Sequence, residues 1–343
     1  MLQLGILSPP GYGQRLCCSQ NLESEYDFSI HERIPGSCRQ PSAALSSPAG
    51  RWVQGCSENS VYGAQKCGTR PRYGGPVRGT GEGEASPGEF PWTCLILNQN
   101  NDFLGTCALV PETFSNDLGR GTRKILTAAH NLKKIGPEDR VKVRVGEYDA
   151  SGFNGPEVVA HKEYSVSKIV RHPQFDPKRL TNDIAVLKTS TNIDLSHRYV
   201  APACLPSCGS QFDHVFTNGS GVRCWTAGWG KDEFTGDFQF IQHKVDVPLV
   251  PDYKCNSALK AALNRKKPGV GDRFELSASE LCAGTETGKD ACTGDGGSPL
   301  VCQAQSGRWT VVGLVSWGIG CATDLPGVYT NVYHFKNWIN SIV

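Results

Sequence analysis

"DACTGDGGSPLVC", residues 290–302, decides how the rest of the chain is read. Between Cys292 and Cys302 it holds Gly294, Asp295, Gly296, Gly297, Ser298 and Pro299. Its one serine is followed by a proline, which restricts the backbone just before it. Two other segments belong with it: "ILTAAH", ending at His130, and "NDIAVLK", containing Asp183. Each alone is weak, because a single His or Asp in a β protein is more often structural than catalytic. Their order along the chain and the residues that flank them change that weighing.

In this order and with these flanks, the three segments resemble the His, Asp and Ser segments of the chymotrypsin/trypsin-like serine proteases. "CWTAGWG" (224–230), "ELCAG" (280–284), "SWGIGC" (316–321) and "PGVYTNV" (326–332) are similar to that family too. The resemblance implies an all-β fold of two antiparallel six-stranded barrels with a C-terminal helix. It also implies His130 as base, Asp183 as its orienter, and the N–H groups of Gly294 and Gly296 as oxyanion hole. Asp290 matches the pocket-floor aspartate that selects Arg or Lys, Ser316-Trp317-Gly318 the pocket wall, and Gly327 its open side. The family run, however, is Gly-Asp-Ser-Gly-Gly-Pro. Here Gly296 takes the nucleophile's place and the serine comes two residues late. An extended chain moves about 6–7 Å in two residues, and a misplacement of about 1 Å already costs orders of magnitude in rate. Ser298 is therefore not expected to take over, and an active trypsin-like endopeptidase using Ser298 is the alternative reading.

Other departures agree. The histidine segment of the family continues with a cysteine, whereas Asn131 follows His130, so Cys107 lacks its usual partner. "TCLILNQNNDFLGTC" reads as a hairpin that would set Cys94 across from Cys107. Family zymogens are cut after a basic residue, and the freed Ile or Val amino group docks on the aspartate before the nucleophile. Counting back from "GEFPW" places that cut at Arg78-Gly79, with Asp295 as acceptor. Gly79 lacks the apolar share of docking, about 2–3 kcal/mol for an Ile. The alternative reading of Arg78 is a solvated linker residue. The resemblance further implies disulfides Cys224-Cys302, Cys255-Cys282 and Cys292-Cys321, and a tether from Cys67 to Cys204.

The chain has 343 residues, 15 cysteines and a formal net charge of +2. No strong electrostatic partner follows from that charge, and nucleic acid is a poor candidate. The cysteines lack paired C-x-x-C runs with nearby His, so they read as a secreted disulfide framework rather than metal sites. The odd count leaves at least one thiol unpaired or used between chains. The apolar start Met1–Leu7 is short, lacks a basic residue and runs into Pro9-Pro10, so it is not read as a signal peptide. No apolar run reaches the roughly 20 residues of a membrane helix.

Residues 1–66 form an irregular extension with four cysteines, where Cys17-Cys18 hints at a clip-domain remnant. Residues 67–78 are the linker with Cys67, and 79–343 the trypsin-like domain. Beyond residue 91, β-rich runs alternate with turns, as in an antiparallel sandwich or barrel pair. At the end, Phe335, Trp338, Ile339 and Ile342 recur at i, i+3, i+4 and i+7, one face of a helix. Asn218-Gly219-Ser220 is a glycosylation sequon. Glu147, Asp149, Glu157 and Glu163 lie where relatives bind calcium, but four acids over that length read first as a solvated face. No cofactor is required. "LNRKKPGVGDR", 263–273, reads as an exposed basic insertion.

These features resemble the arthropod non-catalytic, clip-type serine protease homologues, which include phenoloxidase-activating factors and masquerade-like proteins. The resemblance implies a secreted, haemolymph-type protein acting as regulatory cofactor or binding protein in a defence cascade. Its partner would be a protease or a proenzyme of the prophenoloxidase type. A recognition or adhesion protein for microbial surfaces or cells is a further alternative.

Overall fold

The computed structural model describes residues 67–70, 83–119, 121–136, 138–151, 159–206, 222–231, 239–291, 294–321 and 323–343. Twelve antiparallel strands form two closed barrels. The first runs in spatial order β1 (Thr93–Asn98), β2 (Phe103–Leu109), β3 (Lys124–Thr127), β6 (Ala185–Thr189), β5 (Lys162–Arg171) and β4 (Val141–Val145). The second runs β10 (Pro299–Gln303), β11 (Trp309–Trp317), β12 (Pro326–Asn331), β9 (Glu280–Gly284), β8 (His243–Val250) and β7 (Arg223–Gly228). Closure removes the exposed strand edges that an open sheet would have to protect.

Sequence pattern explains the local choices. In β4, Val141, Val143 and Val145 are buried and alternate with half-buried Lys142 and Arg144, the two-residue period of a strand with one wet face. Central β11 is buried from Thr310 to Trp317 and carries a continuous apolar run instead. Cys94 and Cys107 face each other in the β1–β2 ladder and are disulfide-bonded. Cys224 and Cys302 are likewise paired across β7 and β10. Cys255 bonds Cys282, and Cys67 bonds Cys204. Cys321 is disulfide-bonded, and its expected partner Cys292 lies outside the described residues.

A single turn of 3-10 helix, Tyr333–Phe335, leads into a short terminal helix, Lys336–Ser341. Phe335, Ile339 and Ile342 are buried in one core with Phe90, Trp92 and Leu314. Each such side chain contributes about 1.5–3 kcal/mol by leaving water. Lys124 reinforces this docking: it is 1% exposed, and its ammonium donates to the Ile339 carbonyl at 2.9 Å. Burial lowers its pKa to about 8, with Glu112 opposing the fall.

One expectation needs correction. Residues 263–266 are not loop: they close α1, Asp252–Lys266, the longest helix among the described residues. Cys255, Leu259, Ala262 and Leu263 form its buried stripe. The basic residues Arg265 and Lys266 stand in its last turn, where the helix dipole favours cations.

Candidate active site

His130 lies in a 3-10 turn, Ala129–Leu132, just after β3. Its backbone N–H donates to Asp183 Oδ1 at 2.9 Å, and its ring Nδ1 is 2.6 Å from Asp183 Oδ2. Asp183 is 1% exposed, immediately before Ile184 and β6. The second barrel closes on it: Ser316 Oγ donates to Oδ2 at 2.6 Å, and Thr330 Oγ1 donates to the Asp183 carbonyl at 2.7 Å. A buried carboxylate held by this many donors fixes the ring it faces, so the imidazole presents Nε2 in one direction.

That direction is Gly296. A Cβ built there would lie 2.5 Å from His130 Nε2 and 3.0 Å from Cε1. The space a nucleophile's side chain would need is filled by the imidazole. Gly296 is also anchored by its carbonyl, which accepts the Thr106 N–H at 3.1 Å and Asn131 Nδ2 at 2.7 Å. Asn131 Nδ2 donates to Thr127 Oγ1 as well, at 3.1 Å. Its carboxamide fits because Gly105 and Gly297 leave room: a Cβ on either would come within 2.2 and 2.8 Å of Nδ2. Asn131 thus ties the turn of residues 294–298 to the first barrel.

Ser298 is fully buried, and its hydroxyl faces Gly228 of β7, 2.8 Å from where a Cβ there would sit. Enclosed there, the hydroxyl has no hydrogen-bond partner among the described residues. Asp295 turns the same way. Its Oδ1 accepts the Gly230 N–H at 3.0 Å, and its carboxylate packs against Gly228 and Gly230 so closely that a Cβ on them would clash at 2.4 and 2.6 Å. Gly294, with φ 98°, and Gly297, with φ 83°, hold backbone conformations that side chains disfavour.

Asp290 lies beside Gly327, whose added Cβ would be 3.2 Å from Asp290 Oδ1 and 3.4 Å from the Tyr329 ring. Burial, with Asp290 and Asp295 as charged neighbours, pushes the Tyr329 phenol well above its usual pKa. Gly318 is buried, and Trp317 is 2% exposed. The Trp317 indole N–H donates to Glu280 Oε1 at 2.9 Å, and Phe274 stacks edge-on at 5.9 Å. Glu280 Oε2 accepts the Ser277 N–H at 2.8 Å. Burial raises the Glu280 pKa to about 7, Asp183 adding to the rise and the two hydrogen bonds opposing it. Sequence reading passed over Glu280, because "ELCAG" names the residue without showing that its carboxyl is enclosed.

The structure therefore brings His130, Asp183, Ser316 and Gly296 together, and groups Asp290 with Gly327 and Tyr329. Arg78, Gly79, Asn218 and Glu157 lie outside the described residues. The remaining acids of the calcium reading have internal partners. Glu147 pairs with Arg144 and His161, Glu163 with Lys142 and Arg144, and Asp149 accepts the Ser151 N–H. No group of His, Cys, Asp or Glu among the described residues is arranged to hold a metal ion, and no helix among them is long and apolar enough to cross a membrane.

A family model described as Trypsin matches residues 80–339. The chain is 38% identical over 286 residues to "Inactive CLIP domain-containing serine protease A3" of Aedes aegypti, covering 82% of this chain and 55% of that protein. It is 35% identical over 297 residues to "Phenoloxidase-activating factor 2" of Galleria mellonella, covering 81% and 88%. It is 34% identical over 290 residues to "Protein masquerade" of Drosophila melanogaster, covering 83% and 25%. The chain thus spans about half the length of the first of these relatives and most of the second.

Proposed function

Because the chain belongs to the trypsin family, with relatives named as inactive proteases, we propose that it is a secreted, non-catalytic protease homologue. Its role would be that of a regulatory cofactor or binding protein in an arthropod-type proteolytic defence cascade, acting on a prophenoloxidase-type proenzyme or its protease. One observation carries the loss of catalysis. The residue facing the His130–Asp183 pair is a glycine, and the imidazole closes the space where a serine side chain would stand. Base and orienter are present, but position 296 offers no attacking atom. The cascade role draws on a relative named as a phenoloxidase-activating factor and on the retained fold.

A serine-directed organophosphate decides the first half. We expect no adduct and no hydrolysis of arginyl amides, and stoichiometric labelling of Ser298 would reject the reading. For the second half, the chain added to prophenoloxidase and its activating protease should raise phenoloxidase activity without cleaving either protein itself. Recovery of cell-wall material rather than proenzyme in a capture from body fluid would favour a surface-recognition role instead.

Two more results are expected. Trypsin cleavage at Arg78 should give one band without reductant and two with it, since Cys67 is bonded to Cys204. Two bands under both conditions would mean that this bond does not form. Benzamidine should bind at Asp290 through two charge-assisted hydrogen bonds, with a Kd of about 10 μM to 1 mM. Binding should strengthen after cleavage at Arg78 and vanish in Asp290→Ala. No calorimetric heat at millimolar amidine would show the slot to be closed.

A further inference from the structure

A cation held by aromatic rings is found at Arg70, among residues that the His130 and Asp290 groups do not use. Arg70 follows the Cys67 tether, and its guanidinium carbon is 4.2 Å from the centroid of Trp309, 4.8 Å from Phe90 and 6.0 Å from Trp92. Trp92 and Trp309 are themselves 6.2 Å apart, and Phe90 and Trp92 meet edge-on at 6.4 Å. Glu89 Oε1 lies 3.8 Å from Arg70 Nη1, and the Lys244 ammonium donates to both oxygens of that carboxylate, at 3.0 and 2.8 Å. Arg70 Nε and Nη2 are buried with no hydrogen-bond partner among the described residues. Aromatic faces, rather than acceptors, hold most of this guanidinium.

The cage is assembled from both barrels. Phe90 and Trp92 precede β1, and Trp309 opens β11. The linker backbone lies against the same wall: Gly68 N–H donates to the Pro202 carbonyl at 2.7 Å, and Trp309 N–H donates to the Gly68 carbonyl at 2.9 Å. Gly68 has φ 68°, and a Cβ there would strike the Trp309 carbonyl oxygen at 2.4 Å, so the approach needs glycine.

We propose that Phe90, Trp92 and Trp309, with Glu89, form a guanidinium-binding cage whose occupant is Arg70 of the chain's own linker, and that this contact docks the linker independently of the Cys67–Cys204 disulfide. Cations over aromatic faces gain most where water is excluded; burial lowers the Arg70 pKa, and Glu89 at the rim opposes that fall. The partner class is a guanidinium, so the emptied cage should accept one from solution.

Two measurements test this. In full-length Cys67→Ala/Cys204→Ala protein, hydrogen exchange at the Gly68 and Trp309 amides should remain slow and accelerate at least about tenfold on adding Arg70→Ala. Equal exchange with and without Arg70 would overturn the proposal. With the disulfide intact, millimolar methylguanidine should slow exchange at these amides in Arg70→Ala, but not in the unmutated protein or in Arg70→Ala/Trp309→Leu. The second mutation leaves Asp290 untouched, so it separates cage binding from binding in the other slot. Absence of rescue in Arg70→Ala would overturn the cage as a guanidinium site, even if the disulfide-free protein failed to fold.

Discussion

Restoring the missing hydroxyl by Gly296→Ser should leave the protein without protease activity and make it less stable. The new Cβ would meet His130 Nε2 at 2.5 Å and Asn131 Oδ1 at 3.1 Å, and the first is shorter than a hydrogen bond between heavy atoms. The imidazole has little freedom to retreat, because its Nδ1 is held 2.6 Å from Asp183 Oδ2. Asp183 in turn is bound by Ser316 and Thr330 of the other barrel. Relief must come from moving the turn, which Thr106 and Asn131 hold by the Gly296 carbonyl. Overpacking of this kind costs about 1–3 kcal/mol, and each kcal/mol lowers Tm by roughly 2–4 °C in a domain of this size. Asn131→Ala should lessen the penalty of Gly296→Ser, giving a favourable coupling in a double-mutant cycle. Stoichiometric organophosphate labelling of Gly296→Ser, together with an unchanged Tm, would show that the site was open all along.

The residues that declare the fold were legible because their chemistry leaves few substitutes. Asp183 needs donors on every side, and the segments around it, "NDIAVLK", "SWGIGC" and "PGVYTNV", supply Ser316 and Thr330. The alternating valines of β4 and the terminal stripe of Phe335, Ile339 and Ile342 were equally readable, since period alone assigns them. Helix α1 carried a usable signal too, with Cys255, Leu259, Ala262 and Leu263 on one face. The charged run that overlaps its last turn, residues 263–273, reads as a loop instead. Asn131 was visible only as a cysteine that is not there. Its clasp depends on glycines 105, 296 and 297 converging from separate strands and turns, which no local window contains. In the sequence Arg70 is one residue of the 67–78 linker, and its cage is drawn from residues 89–92 and 309. In each case what was hidden is an approach between distant backbones, not a preference of the residues themselves.

Glu280→Gln should remove a pH dependence of stability that the unmutated protein shows between about pH 4.5 and 7. Burial raises the folded-state pKa of Glu280 to about 7 from an ordinary value of 4.5. The native state therefore binds this proton more tightly than the unfolded chain. Its stabilising contribution is complete below about pH 4.5, declines as pH rises, and is gone once pH passes the folded value near 7. At 1.36 kcal/mol per pKa unit the span is on the order of 3 kcal/mol. Glutamine carries no titrating proton, but its single carbonyl oxygen can replace only one of the two acceptors used by the Trp317 indole N–H and the Ser277 N–H, so Glu280→Gln also loses a share of stability that does not change with pH. Chemical denaturation at pH 5 and pH 7.5 should show the unmutated protein losing stability relative to Glu280→Gln at the higher pH. If the two proteins ran parallel across that window, the carboxyl would not be enclosed and the Trp317 wall would be wetter than its 2% exposure indicates. If they diverge, the Trp317–Glu280 contact rests on a proton, since ionising Glu280 puts a second buried carboxylate near Asp183, and the amidine slot proposed at Asp290, with Trp317 as its proposed wall, should feel the change. Amidine affinity should then be compared between the two proteins across the same window, with the difference largest above pH 7.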